Sequence, residues 1–218
     1  MRTFVALLIL ISELQSGICQ SEQNCIGTTM TSRDRADAEL LHNEKRERLA
    51  YGFIRNYTRS NNMSYLFYNC ALETSAYEIA KSCERKNQLG FHHAGSNIAF
   101  FDDRDYYPDP SIALYDAIDR WWETGSLYDA PKNIIPSVDD KSRAPFFQMA
   151  NGATTKFGCA YQWCNRTSHS PFVSFVCTYR QAYIAGVPLY TIGFPCDLCG
   201  GKESEKCRRR ALCDNGAN

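Results

Sequence analysis

The cysteines constrain this chain more than any other feature. There are eleven of them: Cys19, Cys25, Cys70, Cys83, Cys159, Cys164, Cys177, Cys196, Cys199, Cys207 and Cys213. So many cysteines read as a disulfide framework only if the chain enters an oxidising compartment, and the N-terminus supplies the route. Met1-Arg2-Thr3 is a short positive start, Phe4 to Ile11 is an unbroken apolar run of eight residues, and Gly17-Ile18-Cys19 places small residues beside a cleavage point. Eight residues fall far short of the roughly 18 that span a bilayer, so residues 1–19 read as a signal peptide. Cleavage after Cys19 leaves ten cysteines, an even set that pairs completely. The mature protein is therefore expected to begin at Gln20, to be secreted and extracellular, and to carry no transmembrane segment.

Asn56-Tyr57-Thr58, Asn62-Met63-Ser64 and Asn165-Arg166-Thr167 are N-glycosylation acceptor triplets, in keeping with that route. Lysine plus arginine equals aspartate plus glutamate at 24 each, so no overall field draws the chain toward nucleic acid or an anionic membrane. The basic run Arg208-Arg209-Arg210 reads as a solvated loop face.

Periodicity divides the chain. Ala38, Leu41, His42, Leu49 and Phe53 recur at helical spacing and predict a helix over 34–54. Leu72, Ala76, Ile79 and Cys83 predict a second over 69–86, and Ile112, Tyr115, Ile118 and Trp122 a third over 111–123. The period then falls to two, predicting strands over 157–164 and 172–179 with a turn between them. Cys164 and Cys177 flank that turn and favour a cross-strand bridge. Helices first and strands later give an α+β class. Beyond Gly193-Phe194-Pro195 the four cysteines of C-x2-C-x7-C-x5-C lie among few apolar residues, so staples must hold this tail. Its competing reading is a zinc knuckle at Cys196-x2-Cys199.

These residues resemble the CAP superfamily of cysteine-rich secretory, antigen-5 and pathogenesis-related proteins, most closely nematode venom-allergen-like and activation-associated secreted proteins. His42-Asn43-x-x-Arg46 is similar to the HNxxR of the family's first helix. Tyr68-Asn69-Cys70-x-Leu72-Glu73 through Cys83 is similar to its second-helix pattern. Phe147-Gln148-Met149 through Gly158-Cys159-Ala160 and Phe175-Val176-Cys177-Thr178-Tyr179 resemble its two signatures, and Gly186-x-Pro188 through Cys196 the junction into a cysteine-rich hinge. The resemblance implies an α-β-α sandwich over 20–185 and a disulfide-rich hinge extension over 186–218. Together with the strand argument it favours Cys25–Cys70, Cys83–Cys159 and Cys164–Cys177, and leaves three pairings open among the last four cysteines.

It also implies a cleft that in many members holds a divalent metal through two histidines and two glutamates, the donor types zinc accepts. Carried over residue by residue, those positions fall on Asn87, Ser96, Thr124 and Pro145. The cleft is thus degenerate, and neither a metal, a cofactor nor a catalytic residue is expected. His92-His93 with Glu123 or Asp102 is the alternative ligand set. His42 reads as a packed core histidine, and His169 as a solvated turn residue. No GxSxG or HExxH motif is present.

The leading expectation is a secreted, non-enzymatic binding protein that engages an extracellular or cell-surface protein. By resemblance to hookworm members that block integrins on platelets or leukocytes, it would be a parasite effector against a host adhesion receptor. Arg104, Tyr106 and Tyr107, in the polar loop 101–110, are the candidate partner contacts, since tyrosine and arginine are enriched at interface hot spots. The Arg35-Ala36-Asp37 string carries no such expectation. The alternatives are a sterol or lipid carrier and, behind it, a metal-dependent hydrolase.

Overall fold

The computed structural model describes residues 25–85, 95–102, 107, 109, 111–165 and 170–215. Four strands form the central sheet: β1 (Phe67–Tyr68), β2 (Ser96–Phe101), β3 (Lys156–Cys164) and β4 (Phe172–Tyr179), in the order β1-β3-β4-β2. Helix α2 (Cys70–Lys81) covers one face of it. Helices α1 (Ser32–Ala50), α3 (Ile112–Ser126) and α4 (Ala144–Ala150) cover the other. A small ribbon, β5 (Cys207–Arg208) with β6 (Leu212–Cys213), lies in the C-terminal segment.

Strand β4 is hydrogen-bonded on both edges and buried at every residue. A strand covered on both faces must be apolar nearly throughout, which is what Phe172-Val173-Ser174-Phe175-Val176 supplies. Alternate side chains nonetheless go to different layers. Phe157, Cys159, Phe175, Cys177 and Tyr179 join the large core under α1, α3 and α4. Ala160 and Val176 meet Ala76 and Ala80 of α2. The approach of α2 is close because β3 has no side chain where the helix begins: a Cβ on Gly158 would lie 2.2 Å from the Glu73 amide nitrogen.

The helix ends follow from local chemistry. Thr31 and Asp34 form a reciprocal capping box at the start of α1, and the Asn69 side chain accepts the Leu72 amide at the start of α2. Helix α1 stops at Ala50, short of the expected 54. Gly52 takes φ +74°, its amide donates to Leu49, and the Phe53 amide donates to Arg48 at 2.9 Å. That paired closure is a Schellman motif, and it leaves Phe53 69% exposed rather than on the buried stripe. The third stripe is likewise rotated. Ile112 and Tyr115 are exposed, whereas Leu114, Ala117, Ile118, Trp121 and Trp122 are buried.

All ten described cysteines are paired, but only one of the favoured core bridges, Cys25–Cys70, is present. The expected Cys83–Cys159 and Cys164–Cys177 bonds are replaced by Cys83–Cys164 and Cys159–Cys177. Parity is the reason. Cys159 lies directly opposite Cys177 in the β3–β4 register, with Cα atoms 4.0 Å apart, and both side chains enter the large core. Cys164 lies opposite Phe172, five residues further along and on the α2 face. At about 3.3 Å per residue it is out of reach of Cys177. Cys83, just past the end of α2, is the thiol that Cys164 can meet. In the tail, Cys196 pairs with Cys207 and Cys199 with Cys213. The cluster of Cys196, Cys199 and Cys213 sulfurs therefore offers no thiolates, and the zinc-knuckle reading is set aside.

Candidate functional site

A cavity of about 450 Å³ opens between β2, α3, α4 and the segment after β4. Ser96 at the start of β2, Thr124 in the last turn of α3 and Pro145 in the first turn of α4 all line it. Asn87 lies outside the described residues, as do His92, His93 and His169. Glu123, beside Thr124, is exposed and is not among the described lining residues. No carboxylate, imidazole or thiolate lines the cavity among the described residues. Its charged groups there are Arg120 and Lys141.

The floor is held by a buried polar chain reaching from α1 to the cavity wall. His42 is fully buried. Its Nδ1 donates to the Ala38 carbonyl and its Nε2 accepts from the Tyr179 hydroxyl, each at 2.8 Å. Asn97 of β2 donates to the Tyr179 oxygen at 3.5 Å and to the Pro145 carbonyl at 3.0 Å. Loss of hydration holds the His42 pKa down to about 3, with Arg46 and Lys45 adding to the effect. An imidazole that is neutral at neutral pH, with both nitrogens engaged, is a structural crosslink.

Two further buried groups fix the scaffold. Arg46 is fully buried and donates to the carbonyls of Ser64, Met149, Asn151 and Thr154. Burial lowers its pKa to about 9. Arg35 donates to both oxygens of the buried Glu73. Arg35 and Asp37 are therefore internal contacts of the fold, since Asp37 accepts from Tyr115 at 2.7 Å and lies 3.7 Å from Arg33.

The expected partner loop is changed by the structure. Tyr107 is only 4% exposed. Its ring packs on Phe101 at 4.7 Å and its hydroxyl donates to Asp116 at 2.5 Å. An aromatic ring following a strand into an apolar corner is buried there, so Tyr107 is a core residue and not a partner contact. Arg104 and Tyr106 lie outside the described residues. Of the acceptor asparagines, Asn56 and Asn165 are exposed and Asn62 is partly buried, its Oδ1 accepting the Thr191 amide. The motifs missed Arg120 and Lys141. Both are exposed cations, and the only available signal was that Arg120 directly precedes the cavity residue Trp121.

A sheet between α2 and a three-helix layer, with a cleft at the edge strand and a stapled C-terminal segment, defines a disulfide-rich α-β-α sandwich. The model of the CAP family, the cysteine-rich secretory proteins, matches residues 40–179, and the chain belongs to that family. It is 24% identical over 223 aligned residues to Ancylostoma secreted protein of Ancylostoma caninum, covering 97% of this chain and 50% of that one. The chain thus spans about half the length of this curated relative. Its fold is similar to those of Na-ASP-1 (TM-score 0.74, 23% identity, 90% of this chain and 49% of that one) and NaASP2 with Zn2+ (0.71, 22%, 86% and 100%). It is also similar to that of hookworm platelet inhibitor (0.61, 21%, 88% and 97%). No helix among the described residues is long and apolar enough to cross a membrane.

Proposed function

We propose that this chain is a secreted binding protein that engages and blocks an extracellular host receptor, of the integrin type found on platelets or leukocytes. It would act by contact and not by catalysis. The observation that carries this reading is the cleft: an intact family scaffold whose described cavity lining contains no metal-ligating side chain. With metal chemistry absent from that wall, function falls to loops and outer faces, where folds of this kind vary. The likeness in fold to hookworm platelet inhibitor supports a platelet target.

The experiment is surface plasmon resonance of the secreted, mature protein against purified platelet and leukocyte integrins, together with an aggregation assay on washed platelets. Saturable binding with inhibition of aggregation is expected. Arg104→Ala with Tyr106→Ala is expected to weaken that binding with the melting temperature kept. No binding to any integrin, together with sterol co-purifying with the secreted protein, would replace this reading with the lipid-carrier one.

A further inference from the structure

The charged groups on the described lining of the cleft point to a ligand of opposite sign from a metal. We infer that it is a binding site for a small organic anion with a flat apolar body. Its 450 Å³ falls within the roughly 300–1,000 Å³ of small-molecule sites. Trp121, Pro145 and Tyr183 give it apolar walls, and Arg120 and Lys141 are the charged groups on its described lining. Neither cation forms an ion pair with a described residue. The Arg120 guanidinium instead lies over the Phe101 ring at 4.5 Å, which leaves its N–H donors unspent.

The neighbouring acid does not cancel this charge. Asp140, next to Lys141, accepts the Ser137 amide and lies 3.9 Å from Arg143. Ser96 and Ser142 also line the cavity, and neither side chain makes a hydrogen bond to a described residue. Thr124 and Gln148, by contrast, are committed to Trp121, Phe146, Gln181 and Tyr183. The uncommitted donors on the described lining are thus two cations and two serines, beside the aromatic walls of Trp121 and Tyr183. A divalent cation would meet like charge there, whereas a carboxylate, sulfate or sulfonate would meet charge-assisted hydrogen bonds.

This inference does not depend on the receptor reading. The probes are 1-anilinonaphthalene-8-sulfonate and its neutral counterpart N-phenyl-1-naphthylamine, titrated by fluorescence against the secreted protein. One sulfonate site is expected, with an affinity that falls as salt is raised while that of the neutral probe does not. Arg120→Ala with Lys141→Ala is expected to weaken the sulfonate about tenfold or more and the neutral probe much less. Both side chains are exposed, so the variant should fold, and the salt series on the unaltered protein tests the same point without any substitution. The control is Arg59→Ala, at a separate aromatic groove with Phe53 and Phe194; it should leave the sulfonate unaffected. The inference is overturned if the sulfonate does not bind, if its affinity ignores salt and the double variant, or if Arg59→Ala abolishes it.

Discussion

Arg35, in the first turn of α1, and Glu73, in the first turn of α2, meet face to face although their helices cover opposite faces of the sheet. The guanidinium donates Nε to Oε2 at 2.8 Å and Nη2 to Oε1 at 2.9 Å, and Thr28 donates to the same carboxylate. Glu73 is fully buried and Arg35 nearly so. Removing one partner strands the other charge away from water. Glu73→Ala is expected to cost about 3–5 kcal/mol, read by urea denaturation of the oxidised protein. A loss below about 1 kcal/mol would show that water or rearrangement replaces the carboxylate.

The His42 imidazole makes stability depend on acidity. Its folded-state pKa, about 3, lies below the ordinary 6.5, so the unfolded chain takes up the proton first. The contribution is complete above about pH 6.5 and shrinks as the pH falls toward 3, by up to about 1.4 kcal/mol per pH unit. Denaturation midpoints measured from pH 7 to 4 should decline accordingly. His42→Gln should be less stable at pH 7 and show a flatter decline; an unchanged slope would assign the acid sensitivity to other groups.

Non-reducing peptide mapping of the secreted protein should recover Cys83 joined to Cys164 and Cys159 joined to Cys177, with no free thiol. The first bond closes 81 residues and the second 18. By the loop-entropy argument, removing the Cys83–Cys164 pair as a double alanine variant should cost about 4–5 kcal/mol, and the shorter loop about 3. Recovery of a Cys164–Cys177 peptide would require a β3–β4 register other than the one described.

Tyr107 should behave as a core residue. Replacing it with alanine empties the space against Phe101 and leaves Asp116 without its donor, at an expected cost of about 3 kcal/mol or more. Differential scanning calorimetry should show a lower melting temperature for Tyr107→Ala, with Arg104→Ala and Tyr106→Ala near the parent. A Tyr107→Ala protein of parental stability that loses integrin binding would return this residue to the interface.

Zinc titrated calorimetrically into the mature protein should give no tight stoichiometric binding. With the tail sulfurs in disulfides and Arg120 and Lys141 in the cleft wall, both the charge and the donor set of the described residues oppose it. Tight binding at one equivalent, lost in a His92→Ala, His93→Ala variant, would show that those histidines have taken over the site.

Much of this architecture could be read from residue order, for identifiable physical reasons. The β3 and β4 ranges emerged nearly intact because each is a short run rich in aromatic and β-branched residues, and the polar stretch 165–171 separates them. His42 could be placed in the core because it shares a helical stripe with Ala38 and Leu49. What could not be read depends on partners distant in sequence. β2 alternates in burial, but its sequence does not alternate: Asn97 is polar and faces inward, while Ile98, Ala99, Phe100 and Phe101 are apolar on both faces. α4 is seven residues long, begins with proline in its first turn and is buried almost all round, so it shows no stripe. The bridge pattern was available in principle: residues 159 and 164 differ by an odd number and cannot share a face of one strand. The cleft cations carried no motif, since their role comes from where α3 and the segment before α4 converge.

The two tail bridges interleave: Cys196 reaches Cys207, and Cys199 reaches Cys213. A protease cutting after the exposed Lys202 or Lys206 would sever the backbone between the two halves of both links. Neither end could then diffuse away. The distal piece would also keep its backbone grip on the body, where the Cys213 amide donates to Met63 and Tyr65 donates back to Cys213. A chain nicked there would stay in one piece for as long as both disulfides are intact. The damage would show only when the disulfides are reduced.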